Sequence, residues 1–415
     1  MTFAIEPGTI GAALEHAHRR LEQCRFAEAL WTRRLDVWSG DRAVQQKIAN
    51  RLGWLDASAI VYPHLPRLRA FAESTRASGV TDVVLLGMGG SSLAPEVLRA
   101  SIGVAPGFPR FHVLDSVDPD AVRAAMGRPA TSLFVLASKS GSTIEPNAMA
   151  AEAERRLREA GVAEPGSRFV AITDEDTALH RRALYTRFRE VFINPADIGG
   201  RYSALSFFGL APAALMGIDM DAVLASARAM ADACRVDDPR RNPGLALGAM
   251  MAAGALAGRD KLTLSLPARL ESFGLWVEQL VAESTGKQGK GIVPITGEGG
   301  HVEPGNAPRG DDRIVVSVVL EGSDPLHDTS EGAPRMTLNM PDLAALGAEF
   351  FRWEVATATA GLLLDINPFD EPNVQQAKDA TRVLLDAYTA QHRLPVPEPD
   401  AAFERVQMTL TDAAR

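Results

Sequence analysis

The chain has 415 residues, of which 46% are hydrophobic and 23% charged, a composition typical of a soluble protein with a sizeable apolar core. Its 43 Lys and Arg residues against 52 Asp and Glu give a net charge of -9, which argues against a nucleic-acid partner because phosphate backbones require a cationic surface. Two cysteines, Cys24 and Cys234, cannot form a disulfide framework, and no segment is typical of a membrane span or secretory signal, so we expect a cytoplasmic protein with no membrane partner.

Residues 1–76 are predicted to form a helical N-terminal segment. From Thr9 to about Arg76, apolar residues recur at helical spacing with charged residues between them. The segment holds no residues typical of a catalytic site, so we expect it to be a helical cap on the domain that follows.

A first α/β domain is predicted at 77–212. Short β-branched and leucine-rich runs alternate with helical patterns, and these runs begin at Val83, Phe111, Leu133 and Phe169. Strands separated by helices indicate a parallel sheet with both faces covered.

A second α/β domain is predicted at 213–390, followed by a proline-rich linker and tail at 391–415. Strands are expected at 261–267, 291–296 and 313–322, with a helix at 269–282. A long helical pattern from Leu343 to about Leu364 breaks at INPFDEPNV and resumes through Tyr388. We expect one short helix after the proline-rich linker.

The glycines that follow the first predicted strand form a candidate ligand-binding turn. Gly87, Gly89, Gly90, Ser91 and Ser92 lie between a buried strand and a helix. Glycines let a ligand approach the backbone, and a helix N-terminus offers unpaired N–H groups. The spacing lacks the third glycine of a dinucleotide fingerprint, and a tight turn without a ligand is the alternative.

A second candidate site is the loop Ser138, Lys139, Ser140, Gly141, Ser142 and Thr143, again between a buried strand and a helix. Its hydroxyls, ammonium group and backbone N–H groups are suitable donors for a phosphate dianion. The alternative is a solvated loop that merely caps the helix. The position at the carboxyl end of a parallel strand, where open α/β sheets bind ligands, favours the phosphate site.

Five segments in order, LLGMGGSSLAP, SKSGSTIEP, GGRYSALSFFGL, QLVAESTGK and NPFDEPNVQQAK, resemble the motifs of the phosphoglucose isomerase family. They extend from Val83 to about Leu385. The resemblance implies two sugar isomerase (SIS) domains, each a parallel sheet between helices. It also implies interconversion of glucose 6-phosphate and fructose 6-phosphate with neither metal nor organic cofactor, in glycolysis and gluconeogenesis.

The resemblance further implies catalytic roles for particular residues. Glu283 matches the base that moves a proton between C1 and C2 through a cis-enediolate, and Arg201 matches the cation beside that intermediate. Lys378 matches a lysine of ring opening. On local sequence alone, solvent exposure is the commoner fate of helix residues such as Glu283 and Lys378, and for Arg201 an ion pair that fixes a loop is an equal alternative.

The expected substrate-binding residues come from the same motifs. Gln279 lies one helical turn before Glu283 and so on the same face. The complete set is Gly89, Gly90, Ser91, Ser138, Lys139, Ser140, Thr143, Gln279 and Glu371.

Two positions depart from the family pattern. Glu371 stands in Phe369-Asp370-Glu371, where many members have FDQ, so a carboxylate replaces an amide expected to touch substrate. The histidine of ring opening is expected after ESTGK, where His301 is our candidate and His327 the next. In the family this histidine comes from the partner subunit, which leads us to expect a homodimer.

Two other functions stay open from the sequence. An isomerase that also accepts mannose 6-phosphate would use the same enediolate, because that sugar differs only at C2. A non-catalytic SIS protein that senses sugar phosphate would need the Ser138–Thr143 loop but no base, and the presence of Glu283, Arg201 and Lys378 together argues against it.

Overall fold

The structure, a computed structural model, describes residues 2–297, 311–323, 333–395 and 397–411, without the side chains of 372–375 and 378. The described residues form two compact units, Met1–Phe369 and Asp370–Arg415. Within them no helix has both the length and the apolar character that crossing a bilayer requires.

The N-terminal segment is helical, as its periodicity predicts, but it begins with a strand. Asp41 caps the third helix by accepting hydrogen bonds from the N–H groups of Ala43 and Val44. Arg25, at φ 49°, ends the first helix in the left-handed conformation and separates it from the second. The elements are β1 (Phe3–Glu6), α1 (Gly11–Cys24), α2 (Phe26–Trp31), α3 (Arg42–Ala49), α4 (Ala57–Val61) and α5 (Leu65–Ala77).

The first sheet is parallel throughout, with strand order β3-β2-β4-β5-β6. Every residue of β2 and β4 is buried, because helices cover both faces of the sheet. Its elements are β2 (Asp82–Leu86), α6 (Leu93–Ser101), β3 (Arg110–Leu114), α7 (Pro119–Ala125), β4 (Ser132–Ala137), α8 (Ile144–Glu159), β5 (Phe169–Asp174), α9 (Ala178–Tyr185), β6 (Glu190–Asn194) and α10 (Phe207–Leu215).

The second sheet has strand order β1-β10-β9-β7-β8, so strands distant in sequence are neighbours. Its strands are parallel except β1, which pairs antiparallel with β10 with Phe3 opposite Leu338. Its further elements are α11 (Met220–Ala233), α12 (Pro243–Leu256), β7 (Lys261–Ser265), α13 (Glu271–Thr285), β8 (Val293–Ile295), β9 (Arg313–Leu320), β10 (Arg335–Met340) and α14 (Leu346–Leu363).

The α/β fold with parallel sheets flanked by helices is therefore confirmed. The expectation of a wholly parallel second sheet is wrong at one edge, where β1 runs antiparallel. Strands β1, β6 and β10 are not among the predicted strands, because none of them is a continuous buried run. The domain boundaries at residues 76 and 212 stay predictions.

Helix α14 is buried along its whole length. A Cβ on Gly248 of α12 would lie 2.5 Å from the carbonyl oxygen of Ala356, and one on Gly347 would lie 2.0 Å from that of Val223 in α11. These glycines let the backbones of α11 and α12 approach α14 closely.

The second unit, Asp370–Arg415, contains α15 (Pro372–Gln391) and a hairpin of β11 (Ala401–Phe403) and β12 (Val406–Met408). The predicted resumption of helix after INPFDEPNV is confirmed. The short helix expected beyond the proline-rich linker is wrong, because that segment turns at Glu404, φ 50°, and pairs with itself.

Candidate active site

The two predicted loops lie side by side at one edge of the first sheet. Strands β2 and β4 are parallel neighbours, with Leu86 opposite Leu136. The glycine turn that follows β2 and the Ser138–Thr143 loop that follows β4 therefore leave the same carboxyl edge, which is where open α/β sheets bind ligands.

The glycine turn packs tightly against two other segments. A Cβ on Gly90 would lie 2.1 Å from the carbonyl oxygen of Gly200, and one on Gly89 would lie 2.6 Å from Nε2 of Gln279. Gly89 also has φ +53°, a conformation that favours glycine. Only glycines allow this turn to contact both the segment of Arg201 and helix α13.

The Ser138–Thr143 loop presents hydroxyl groups ahead of α8. Ser138 Oγ donates to Thr143 Oγ1 at 3.2 Å, and the Oγ atoms of Ser140 and Ser142 lie 3.0 Å apart. Ser140 and Ser142 are exposed. Thr143 occupies the N-cap position of α8, yet its side chain accepts no capping hydrogen bond. The capping alternative thus does not account for this hydroxyl.

Lys139 links the loop to the neighbouring strands. Its ammonium group pairs with the carboxylate of Asp174 at the end of β5 and donates to the carbonyl oxygen of Ala196 at 2.8 Å. Burial raises the pKa of Asp174, and the adjacent ammonium group of Lys139 opposes that shift. Lys139 therefore joins the loop to the chain that leads into Arg201.

Arg201 is almost fully buried, with 5% of its side chain exposed, and three of its nitrogen atoms donate hydrogen bonds. Nε donates to Ser284 Oγ at 2.7 Å, and Nη2 to the carbonyl oxygen of Pro368 at 2.9 Å. Nη1 donates to Glu283 Oε1 at 3.1 Å. This arrangement aims the guanidinium group at the carboxylate of the predicted base.

Glu283 lies in the last turn of α13 and receives a donor on each carboxylate oxygen. Oε1 accepts from Arg201, and Oε2 accepts from Gln279 Nε2 at 3.4 Å. The Glu283 side chain is 27% exposed, so the carboxylate is held from behind and still open to solvent. Glu283, the predicted base, is therefore in direct contact with both Arg201 and Gln279.

Ser284 and Tyr202 belong to the site although reasoning from the sequence did not select them. Tyr202 Oη lies 3.4 Å from Ser284 Oγ and donates to the carbonyl oxygen of Pro368 at 3.3 Å. Burial raises the pKa of Tyr202, which keeps its hydroxyl protonated. Tyr202 directly follows Arg201 and Ser284 directly follows Glu283 in the motifs, and this position was the signal from which the sequence could have identified them.

The structure does not test the remaining predicted residues. His301 and His327 lie outside the described residues. Glu371 precedes α15 and Lys378 lies within it, in the second unit, and the side chain of Lys378 is not described. Their roles stay predictions. Among the described residues, no group of three or more His, Cys, Asp or Glu side chains could hold a metal ion.

Comparison with known proteins identifies similar sequences. The sequence model described as Phosphoglucose isomerase matches residues 58–308, more than half of the chain. The glucose-6-phosphate isomerase of Parasynechococcus marenigrum (strain WH8102) is 32% identical over 355 residues, covering 74% of this chain. The match spans 63% of that relative's own length.

Two solved structures have similar folds. A hypothetical protein from Thermus thermophilus matches with a TM-score of 0.75 and 26% identity, covering 92% of this chain and all of its own. A glucose-6-phosphate isomerase from Chlamydia trachomatis D/UW-3/Cx matches with a TM-score of 0.74 over 93% of this chain and 88% of its own. At 20% identity the latter supports the fold alone.

Proposed function

The chain belongs to the phosphoglucose isomerase family, and from that premise we propose that it interconverts glucose 6-phosphate and fructose 6-phosphate. The reaction is an aldose-ketose isomerisation through a cis-enediolate, with Glu283 as the base. Because the chain spans about two thirds of the length of the relatives it matches, the activity is proposed for this chain from its own residues.

The observation that carries the proposal is the contact between Arg201 and Glu283 at 3.1 Å. Proton transfer between C1 and C2 requires a positioned base and a cation for the enediolate oxygen. Glu283 supplies the base, with one carboxylate oxygen fixed by Arg201. A guanidinium group stays protonated at any relevant pH, so Arg201 stabilises negative charge without donating its own proton.

Gln279 orients the base. Its amide donates to Glu283 Oε2, while the same amide nitrogen lies against Gly89. The carboxylate is thereby restrained on both oxygens, and restraint of a reacting group in the attacking geometry lowers the barrier to reaction. The turn formed by Gly89, Gly90 and Ser91 places the substrate beside the Glu283 carboxylate.

The Ser138–Thr143 loop anchors the 6-phosphate of the substrate. Hydrogen-bond donors for the phosphate lie at the carboxyl edge of the sheet, and their bonds to it are charge-assisted. They are the hydroxyls of Ser138, Ser140 and Thr143 and the ammonium group of Lys139. Lys139 already pairs with Asp174, so it contributes mainly by fixing the loop and by its positive charge.

Ring opening and assembly follow the family resemblance. Lys378 and His301, or His327 in its place, move protons at the ring oxygen, with Glu371 near the sugar. The histidine comes from the partner subunit of a homodimer. The reaction uses no cofactor, and we place the protein in the cytoplasm.

A coupled assay of fructose 6-phosphate conversion tests the proposal. Glu283→Gln should lower kcat by at least ~100-fold with a modest change in KM, because loss of a general base costs roughly 10²–10⁴ in rate. Glu278→Gln is the matched control, since Glu278 is exposed on the same helix.

The outcomes separate the competing functions. A wild-type protein that binds sugar phosphate without turnover would favour the sensor, and equal rates for the wild type and Glu283→Gln would remove Glu283 from the mechanism. Turnover of mannose 6-phosphate in the same assay would identify the broader isomerase.

A further inference from the structure

The end of α14 and the backbone after it are held by basic side chains. Carbonyl oxygens along it accept hydrogen bonds from different cations: Leu363 from Arg20 at 3.0 Å, Leu364 from Lys290 at 2.5 Å, Asn367 from Lys287 at 2.9 Å and Pro368 from Arg201 at 2.9 Å. The last carbonyls of a helix have no partner within it and favour positive charge nearby. Arg20 and Lys290 satisfy this end of α14, whereas Lys287 and Arg201 hold the residues beyond it.

Lys287 and Arg201 bind consecutive residues of that segment. Asn367 O belongs to the planar peptide that joins Asn367 to Pro368, and the proline ring fixes φ of Pro368, so the position of Asn367 O constrains that of Pro368 O. Pro368 O in turn accepts from Nη2 of Arg201, whose Nη1 contacts Glu283. A shift of the Asn367–Pro368 peptide would therefore move the guanidinium group relative to the base.

The backbone of Lys287 is fixed to the helix end that carries Glu283. Lys287 N donates to the carbonyl oxygen of Thr285, the last residue of α13, at 2.9 Å, and a turn with Lys290 is closed by Lys287 N to Lys290 O at 3.1 Å and Lys290 N to Lys287 O at 3.0 Å. Lys287 is 9% exposed, so its ammonium group is largely withdrawn from water. A charge in that position requires partners, and its bond to Asn367 O is charge-assisted.

Resting on the proposed isomerase function, we propose that Lys287 is a positioning residue for the reaction. It holds the Asn367–Pro368 peptide so that the carbonyl of Pro368 aims Arg201 at Glu283. Lys287 does not touch the reacting atoms, and it acts on the rate through the geometry of Arg201. The contacts form a closed ring from α13 through Lys287, the peptide and Arg201 back to α13.

Steady-state kinetics of Lys287→Met test the role. Methionine keeps most of the apolar stem and removes the donor, so kcat should fall about 10–100-fold with KM within about 3-fold, as expected for a misplaced catalytic group. Lys287→Arg, which keeps a cationic donor, should recover most of that loss.

Lys290→Met is the matched control. It removes the same kind of bond from the same turn, but to Leu364 O, which is not adjacent to Pro368. Its kcat should stay within about 3-fold of the wild type. Equal losses of kcat in both methionine variants, or no recovery in Lys287→Arg, would overturn the proposal and leave Lys287 a structural residue.

A readout that does not depend on turnover separates this proposal from the function on which it rests. Phenylglyoxal modifies arginine, and peptide mass spectrometry reports its rate at Arg201. Release of the guanidinium group should speed labelling of Arg201 in Lys287→Met and not in Lys290→Met. Unchanged labelling would overturn the role of Lys287, whereas an inactive wild type with this labelling pattern would overturn the isomerase function alone.

Discussion

Glu283 differs from an ordinary carboxylate at the end of a helix because donors approach it from two elements. Arg201 comes from the turn after β6 and Gln279 from the preceding turn of α13. A surface glutamate in the same position would have neither, and its side chain would sample several rotamers. This restraint is the physical basis for assigning it the proton transfer.

Helix α14 buries three ionisable side chains, Glu349, Arg352 and Glu354. Glu349 and Arg352 are both fully buried and lie 3.2 Å apart, one turn from each other. Burial raises the pKa of the Glu354 carboxyl well above its usual range. Burial of an unpaired charge is costly, and this cost favours the neutral form of the acid.

Burial of the His18 side chain leads us to expect that part of the folding stability depends on pH. Its imidazole is buried on α1, and burial lowers its pKa although Glu15 Oε1 lies 3.4 Å away. The unfolded chain therefore binds a proton more readily than the folded one. The stabilisation is complete above the unfolded pKa of about 6.5 and is lost as the pH falls from there through the lower folded value.

Urea unfolding between pH ~7.5 and ~5, a range that spans the ordinary histidine pKa, measures this component. The free energy of unfolding of the wild type should fall more steeply with acid than that of His18→Gln, which cannot bind the proton. His16→Gln, on the same helix and exposed, should follow the wild type. Parallel curves for the wild type and His18→Gln would show that His18 does not contribute.

At the scale of elements, burial determined which strands could be predicted. Strands β2, β4 and β5 are continuous apolar runs because helices cover both of their faces. Strands β1 and β10 alternate over a few residues, and their pairing joins Phe3 to Leu338. Local periodicity contains no information about a pairing at that separation.

The proposed binding of phosphate by the loop after β4 can be tested by mutation. Replacing Ser140 and Thr143 together by Ala should weaken inhibition by a sugar-phosphate analogue, because two hydroxyl donors to the dianion are lost. Each hydrogen bond to a charged group contributes about 1.5–3 kcal/mol, so the loss of two should raise the inhibition constant at least ~100-fold. Ser167→Ala is the matched control, since Ser167 is exposed and bonds only locally to Glu164 O at 2.7 Å among its described contacts. An unchanged inhibition constant in the double variant would place the phosphate elsewhere.

At the scale of the whole molecule, the α/β class and most strands of the core could be predicted from the sequence, and the family resemblance supplied the proposed base and its cation. The family resemblance implies that Arg201 and Glu283, 82 positions apart, serve one site, whereas no local pattern predicts their contact. The roles of Pro368 and Lys287 could not be predicted, because hydrogen bonds to backbone carbonyls depend on the path of the chain and not on residue type.

Isotope exchange tests the central claim, that Glu283 carries a proton between C1 and C2. The wild type is incubated with fructose 6-phosphate in D₂O, and NMR follows deuterium at C2 of the glucose 6-phosphate formed. The account predicts deuterium incorporation by the wild type and by Glu278→Gln, and incorporation at least ~100-fold slower in Glu283→Gln, as for loss of a general base. Equal exchange by Glu283→Gln and the wild type would contradict it.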